Sequence, residues 1–181
     1  FATPTKISDV TQTNLPTILD LYVLSYDINK NLRTASPTLK NNLKTYLSEY
    51  RMVNDKINIK DAFIINIGVE FDIIVLPNFN NNEVITKCID AITDFFNIDK
   101  WQVNEPIMLK DIFILLDKIE GVQTVQDLRI LNKIGENYGY SAYAYDIPGA
   151  TIKNVVYPSL DPMVFEIKFP NTDIKGRVVP L

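Results

Sequence analysis

The sequence predicts an α+β fold, with two or three helices packed on one face of a small mixed sheet and a C-terminal extended β-arm. Three observations carry that expectation. Residues 63–76 (FIINIGVEFDIIVL) alternate apolar and polar with a period of two, the signature of a strand with one buried face. Three other stretches, around 39–50, 85–96 and 109–119, repeat apolar residues at helical spacing. The order of these elements is strand, helix, strand, helix, helix, strand, without the regular βα alternation of a doubly wound sheet.

Residues 1–16 are polar and Thr-rich, with Pro4 and Pro16, and read as a lead-in. Residues 17–27 (TILDLYVLSYD) are rich in β-branched and aromatic side chains and end at a turn-forming Asn29-Lys30-Asn31, so they read as a strand. Ser36-Pro37 is a helix start: the Ser hydroxyl accepts from a free first-turn N–H, and Pro fits the first helical position. Leu39, Leu43, Tyr46, Leu47 and Tyr50 then form one stripe, expected to face the sheet.

In the long alternating strand, Phe63, Ile65, Ile67, Val69, Phe71, Ile73 and Val75 make one row. Asn66, Gly68, Glu70 and Asp72 make the other, and Gly68 marks an expected bulge. Pro77 stops the strand. A second helix follows with Ile85, Cys88, Ile89, Ile92, Phe95 and Phe96 on its stripe. Asn104-Glu105-Pro106 opens a third, whose stripe is Leu109, Ile112, Phe113, Leu116 and Ile119, with Gly121 as the left-handed residue that ends it. Residues 122–131 read as a strand. From Gly135 the character changes to a Tyr/Gly/Ala stretch, a short strand at 151–157 and a strand at 163–169 (MVFEIKF). The expected organisation is a lead-in over 1–16, an α+β core over 17–134, and a C-terminal β-arm over 135–181.

Composition narrows the chemistry. The 181 residues carry 18 basic and 22 acidic side chains, a net charge of −4, which argues against nucleic acid as a partner. Histidine is absent, which removes His-dependent nucleophiles, bases and metal ligands. Cys88 is the single cysteine, so no intrachain disulfide or Cys-rich zinc site forms. No apolar run approaches the roughly 20 residues that span a bilayer, and no signal-peptide pattern opens the chain, so no membrane association is expected. Phe1 in place of an initiator methionine suggests a fragment or processed product.

Several residues are candidate sites. Glu70 and Asp72 lie about 7 Å apart on one strand face, a separation compatible with paired carboxylates in glycoside hydrolysis; a solvated strand face is the simpler reading. Asp55 and Asp61, with Asn54 and Asn58, hint at calcium but lack the spacing of an oxygen-ligand loop. Cys88 sits on an apolar stripe and reads as a small hydrophobe. Trp101, Tyr138, Tyr140, Tyr143 and Tyr145 are candidate interface residues, because such rings bury large area at low entropic cost; packing under their own C-terminal arm is the competing reading. Phe165, Ile167 and Phe169 alternate with Glu166 and Lys168, and the strand they form is expected to pair outside its own core, adding to a neighbour's sheet edge. No catalytic, cofactor-binding or metal-binding residue is assigned.

Two segments carry a family resemblance. SPTLKNNLKTYLSEYRMVNDKINIKDAFIINIGVEFDI, starting at Ser36, is a helix ending in YLSEYRM, a connection and an alternating strand; it resembles the conserved block of the baseplate J-like proteins of contractile-tailed phages. YPSLDPMVFEIKFPNTDIKGRVV, starting at Tyr157, resembles the C-terminal end of the long wedge subunits of T-even-like myoviruses, a branch of that group. The resemblance implies a structural, non-enzymatic role in the virion, made in the host cytoplasm and placed in the tail baseplate. It implies that copies pair and join other wedge and hub proteins in the inner ring, with no cofactor and no small-molecule substrate. A carbohydrate- or receptor-binding adhesin using exposed tyrosines is the alternative from a different class.

Overall fold

The computed structural model describes residues 18–50 and 56–180. Strand β1 (Ile18–Val23) leads into a small hairpin, β2 (Ser25–Tyr26) and β3 (Leu32–Arg33). Helix α1 (Pro37–Ser48) and strand β4 (Lys56–Asp61) follow. The long strand β5 (Phe63–Val75) is succeeded by α2 (Asn81–Phe95), β6 (Ile107–Met108), α3 (Leu109–Asp117) and β7 (Val122–Asn132). After a 3-10 turn at Glu136–Tyr138 come α4 (Ile147–Ala150), β8 (Thr151–Ile152), β9 (Val155–Val156), β10 (Met163–Glu166), α5 (Pro170–Asp173) and β11 (Ile174–Val178). The fold is α+β, as the sequence predicts.

The described residues fall into two units. Unit 1 comprises residues 18–23 and the described part of 34–61, and unit 2 comprises 24–33 and 62–180. The expected boundary at 134/135 lies inside unit 2, and the expected lead-in lies outside the described residues.

Unit 1 is a βαβ element. β1 and β4 pair in parallel, Ile18 opposite Lys56 through Val23 opposite Asp61, with α1 as the crossover. The predicted helix start holds: the Ser36 hydroxyl accepts from the Leu39 N–H at 3.2 Å, and Pro37 opens the helix. β4 is a strand where the sequence reading had only a polar connection; Ile57 and Ile59 alternate with polar neighbours, but over a stretch too short and too charged to stand out.

Unit 2 is built on β5. Its even residues bond toward β7: Lys133 N–H donates to the Asn66 carbonyl, and Leu76 N–H to that of Gly121. Its odd residues bond the other way, Phe63 N–H to the Pro162 carbonyl and Val179 N–H to that of Ile73. β10 and β11 therefore lie end to end along the edge of β5 opposite β7. Both run parallel to β5, whereas β7 is antiparallel. Glu166 faces Asn66 and Ile174 faces Val69, so the turn of α5 is looped out of what is otherwise one strand.

That pairing corrects the arm expectation. Residues 163–166 are fully buried in the central sheet of their own chain instead of pairing outside it. The register shifts also differ from expectation. They fall between Asp72 and Ile73 and between Ile74 and Val75, and each inserts one residue on the β7 side, Gln126 and Gln123. Gly68 is instead a close approach, where a Cβ would meet the Asp173 carbonyl oxygen at 2.9 Å.

The odd face of β5 carries the core. Ile65, Ile67, Val69, Phe71 and Ile73 pack with Val84, Cys88 and Ile92 of α2, Ile112 and Leu116 of α3, Leu128 and Ile130 of β7, and Phe165 of β10. The expected stripes of the second and third helices are thus correct in outline. α3, however, starts at Leu109, because Ile107–Met108 pairs with Val155–Val156 in a small three-stranded sheet with β8. Gly121 has a left-handed φ of +100° as expected, but beyond the helix end, where it leads into β7 beneath Val84.

Candidate assembly surface

The even face of β5 divides in two. At its C-terminal half, Glu70 and Asp72 lie among Arg129 of β7 and Lys175 and Arg177 of β11. Arg177 donates to both Asp72 oxygens, at 3.1 and 2.6 Å, and this pairing holds the carboxyl below its usual range. Asp72 is therefore an ionised partner in a surface pair rather than a carboxylic acid poised to donate a proton.

At its N-terminal half the same face is buried and polar. Asn66 is 0% exposed and Glu166 only 4%. Asn66 Oδ1 accepts from the Ser141 N–H at 2.7 Å, and its Nδ2 donates to Glu166 Oε2 at 2.7 Å. Glu166 Oε1 accepts from the Leu32 N–H of the hairpin. Burial pushes the Glu166 carboxyl above its usual range, against these donors. Asn132 reinforces the array, donating to the Asn66 carbonyl at 3.0 Å and accepting from the Tyr145 N–H at 2.8 Å. Asn66 belongs to the row expected to face solvent; its side chain is instead bonded by Ser141, after β7, and by Glu166 of β10, which no local pattern encodes.

The candidate interface rings divide: Trp101, Tyr140 and Tyr145 are half-buried and Phe165 is buried, whereas Tyr138, Tyr143 and Phe169 are exposed. Tyr140 donates to Asp173 Oδ1 at 2.6 Å and packs edge-on against Phe169; burial and that carboxylate raise its hydroxyl to about 12. Tyr145 bonds to the Tyr157 carbonyl and packs on Phe165, and Tyr143 sits edge-on to Phe63. Trp101 lies against Phe95 and Phe96, and its Nε1 is buried without a partner. Phe165 is buried, which removes it as free surface; Ile167 is half-buried and Phe169 is exposed. Tyr138, at 77% exposure, is the ring that most clearly faces solvent.

Asp61 and Asn58 have local partners. Asp61 accepts from the Ala35 N–H and pairs with Lys40. Asn58 and Lys60 both bond Asp20, at 3.1 and 2.8 Å. Asn54 and Asp55 lie outside the described residues. Among the described residues no group of three acidic or sulfur side chains converges on a point, and no helix is long and apolar enough to cross a membrane. Cys88 is buried on α2, and burial pushes its thiol up to about 11.

The surface that the sequence reading assigned to the core is on unit 1. α1 buries no residue: Leu43 and Leu47 are half-covered, while Tyr46 is 58% and Tyr50 71% exposed, and Leu39 is exposed as well. Tyr46 and Tyr50 stack on one another with centroids 5.1 Å apart. Ile18 and Leu19 at the start of β1 are also exposed. Ala35 is the one fully buried apolar residue among the described residues of this unit. The stripe was legible in sequence; what it faces was not.

No protein-family model matches the chain, and no curated protein matches it.

Proposed function

We propose that this chain is a structural assembly element that associates with further copies of itself, in the role that its resemblance to baseplate J-like proteins implies: linking wedges of a contractile-tail baseplate. The carrying observation is the apolar surface that the βαβ element of unit 1 exposes among the described residues. Parallel strands normally occur covered on both faces, and two strands with one helix do not form a core. Here a parallel pair leaves Ile18, Leu19, Leu39, Tyr46 and Tyr50 in solvent among the described residues. Apolar surface of this kind gains free energy when a second surface removes it from water, and Tyr is among the residues that interfaces favour. A second copy is the occupant of this surface, consistent with the pairing implied by the resemblance.

Sedimentation velocity over a dilution series tests the reading. Wild-type protein should pass from dimer or larger to monomer on dilution. Leu39→Glu and Tyr46→Glu, both at exposed helical positions, should raise the dissociation constant at least tenfold. Unchanged association in both variants would remove unit 1 from the interface. A protein that stays monomeric when concentrated and binds glycans would favour the adhesin alternative.

A further inference from the structure

Hairpin β2–β3 is a short, separate two-stranded element of unit 2. Each of its strands has two residues, and its turn is closed locally by Asp27, whose Oδ1 accepts from the N–H groups of Asn29 and Asn31 at 2.8 Å. Tyr26 and Ile28 stand in solvent. Leu32 is the hairpin residue that is buried. Its side chain is buried with Ile64 and Val164, beside Leu24, Ile98 and Trp101, and its N–H donates to Glu166. An exposed ion pair, Lys30 to Asp99 at 3.2 Å, adds to this. Residues on both sides of the hairpin, Val23 and Thr34, belong to unit 1.

The socket under Leu32 has a fixed polarity. Both Glu166 oxygens act as acceptors here, one taken by Asn66 Nδ2 and the other by the Leu32 N–H. Asn66 cannot turn its amide over, because that would set Nδ2 against the Ser141 N–H. The socket therefore accepts one aliphatic side chain that carries one backbone donor. When the hairpin leaves, Ile64 and Val164 lose their cover and Glu166 loses a donor, a combination that an identical hairpin repairs in full.

We propose that associating copies of this chain exchange this hairpin, so that Leu32 of one copy fills the Ile64/Val164 socket of the other and donates its N–H to the carboxylate there. The proposal rests on the self-association argued above and names the segment that makes it reciprocal. Exchange of an identical element creates no new chemistry, so its cost reduces to opening a short two-stranded segment and to association itself.

The Lys30–Asp99 pair supplies the test in unaltered protein. Equal amounts of ordinary and ¹⁵N-labelled chain are unfolded together, refolded at high concentration, and treated with a zero-length carbodiimide. The dimer fraction is then digested, and the peptides joined through Lys30 and Asp99 are weighed. Exchange predicts that about half of these links join one labelled and one unlabelled peptide, as random pairing requires. A dimer whose Lys30–Asp99 links join only like-labelled peptides overturns the exchange and leaves self-association standing. Absence of any dimer overturns both.

Discussion

Gly176 offers a quantitative check on how closely β11 packs on β5. It lies opposite Phe71 in the parallel register, and a Cβ placed there would come within 2.7 Å of Phe71 Cε2 and 3.2 Å of Ile85 Cγ2, as well as overlapping Phe71 Cζ. Phe71 is only 2% exposed and lies within the main core, so its ring cannot swing away without displacing that core. Overpacking of this kind costs about 1–3 kcal/mol. Restricting the unfolded chain by adding a Cβ returns only about 0.4–1 kcal/mol, so Gly176→Ala should destabilise unit 2 by about 1–2 kcal/mol. Phe71→Leu alone should cost about 1–3 kcal/mol through lost burial. Because the smaller side chain makes room for the added methyl, the double variant should be more stable than the sum of the two by about 1 kcal/mol. Trp101, the single tryptophan, packs on Phe95 and Phe96 in unit 2, so its fluorescence in urea reports on this unit. A neutral or stabilising Gly176→Ala, or strict additivity in the double variant, would refute the packing argument.

Two further outcomes follow from the side-chain environments. Arg177→Ala should lower stability only slightly at pH 7 and low salt, because the arginine side of the pair is largely solvated. Arg177 lowers the folded-state pKa of Asp72, so the stability this pair contributes is present above the ordinary Asp value and lost as pH falls through the lowered one. Wild type and variant should therefore converge in urea titrations at strongly acid pH, and a gap that persists there would contradict the assignment. Cys88, with its thiol pushed up to about 11, should resist an aromatic disulfide reagent at pH 8 in the folded protein and react fully in denaturant; rapid labelling of the native state would show the site to be open.

The amino-acid sequence by itself determined the repeating local patterns. The period-two run of β5, the helical stripe through Cys88 and Ile92, the Ser36-Pro37 helix start and the left-handed Gly121 are all set by interactions within a few residues. Tertiary structure alone decided what each pattern faces. Leu39, Tyr46 and Tyr50 form as regular a stripe as Val84, Cys88 and Ile92, yet one lies in solvent and the other in the core. Asn66 and Asp72 occupy the same row of one strand, yet one is sealed against Glu166 and the other pairs with Arg177 at the surface. Residues 163–166 read as a strand either way, but their partner turned out to be β5, a hundred residues earlier. Periodicity is a property of neighbouring residues. Burial and pairing depend on which distant segment arrives on a given face, and the chain's local pattern does not encode that choice.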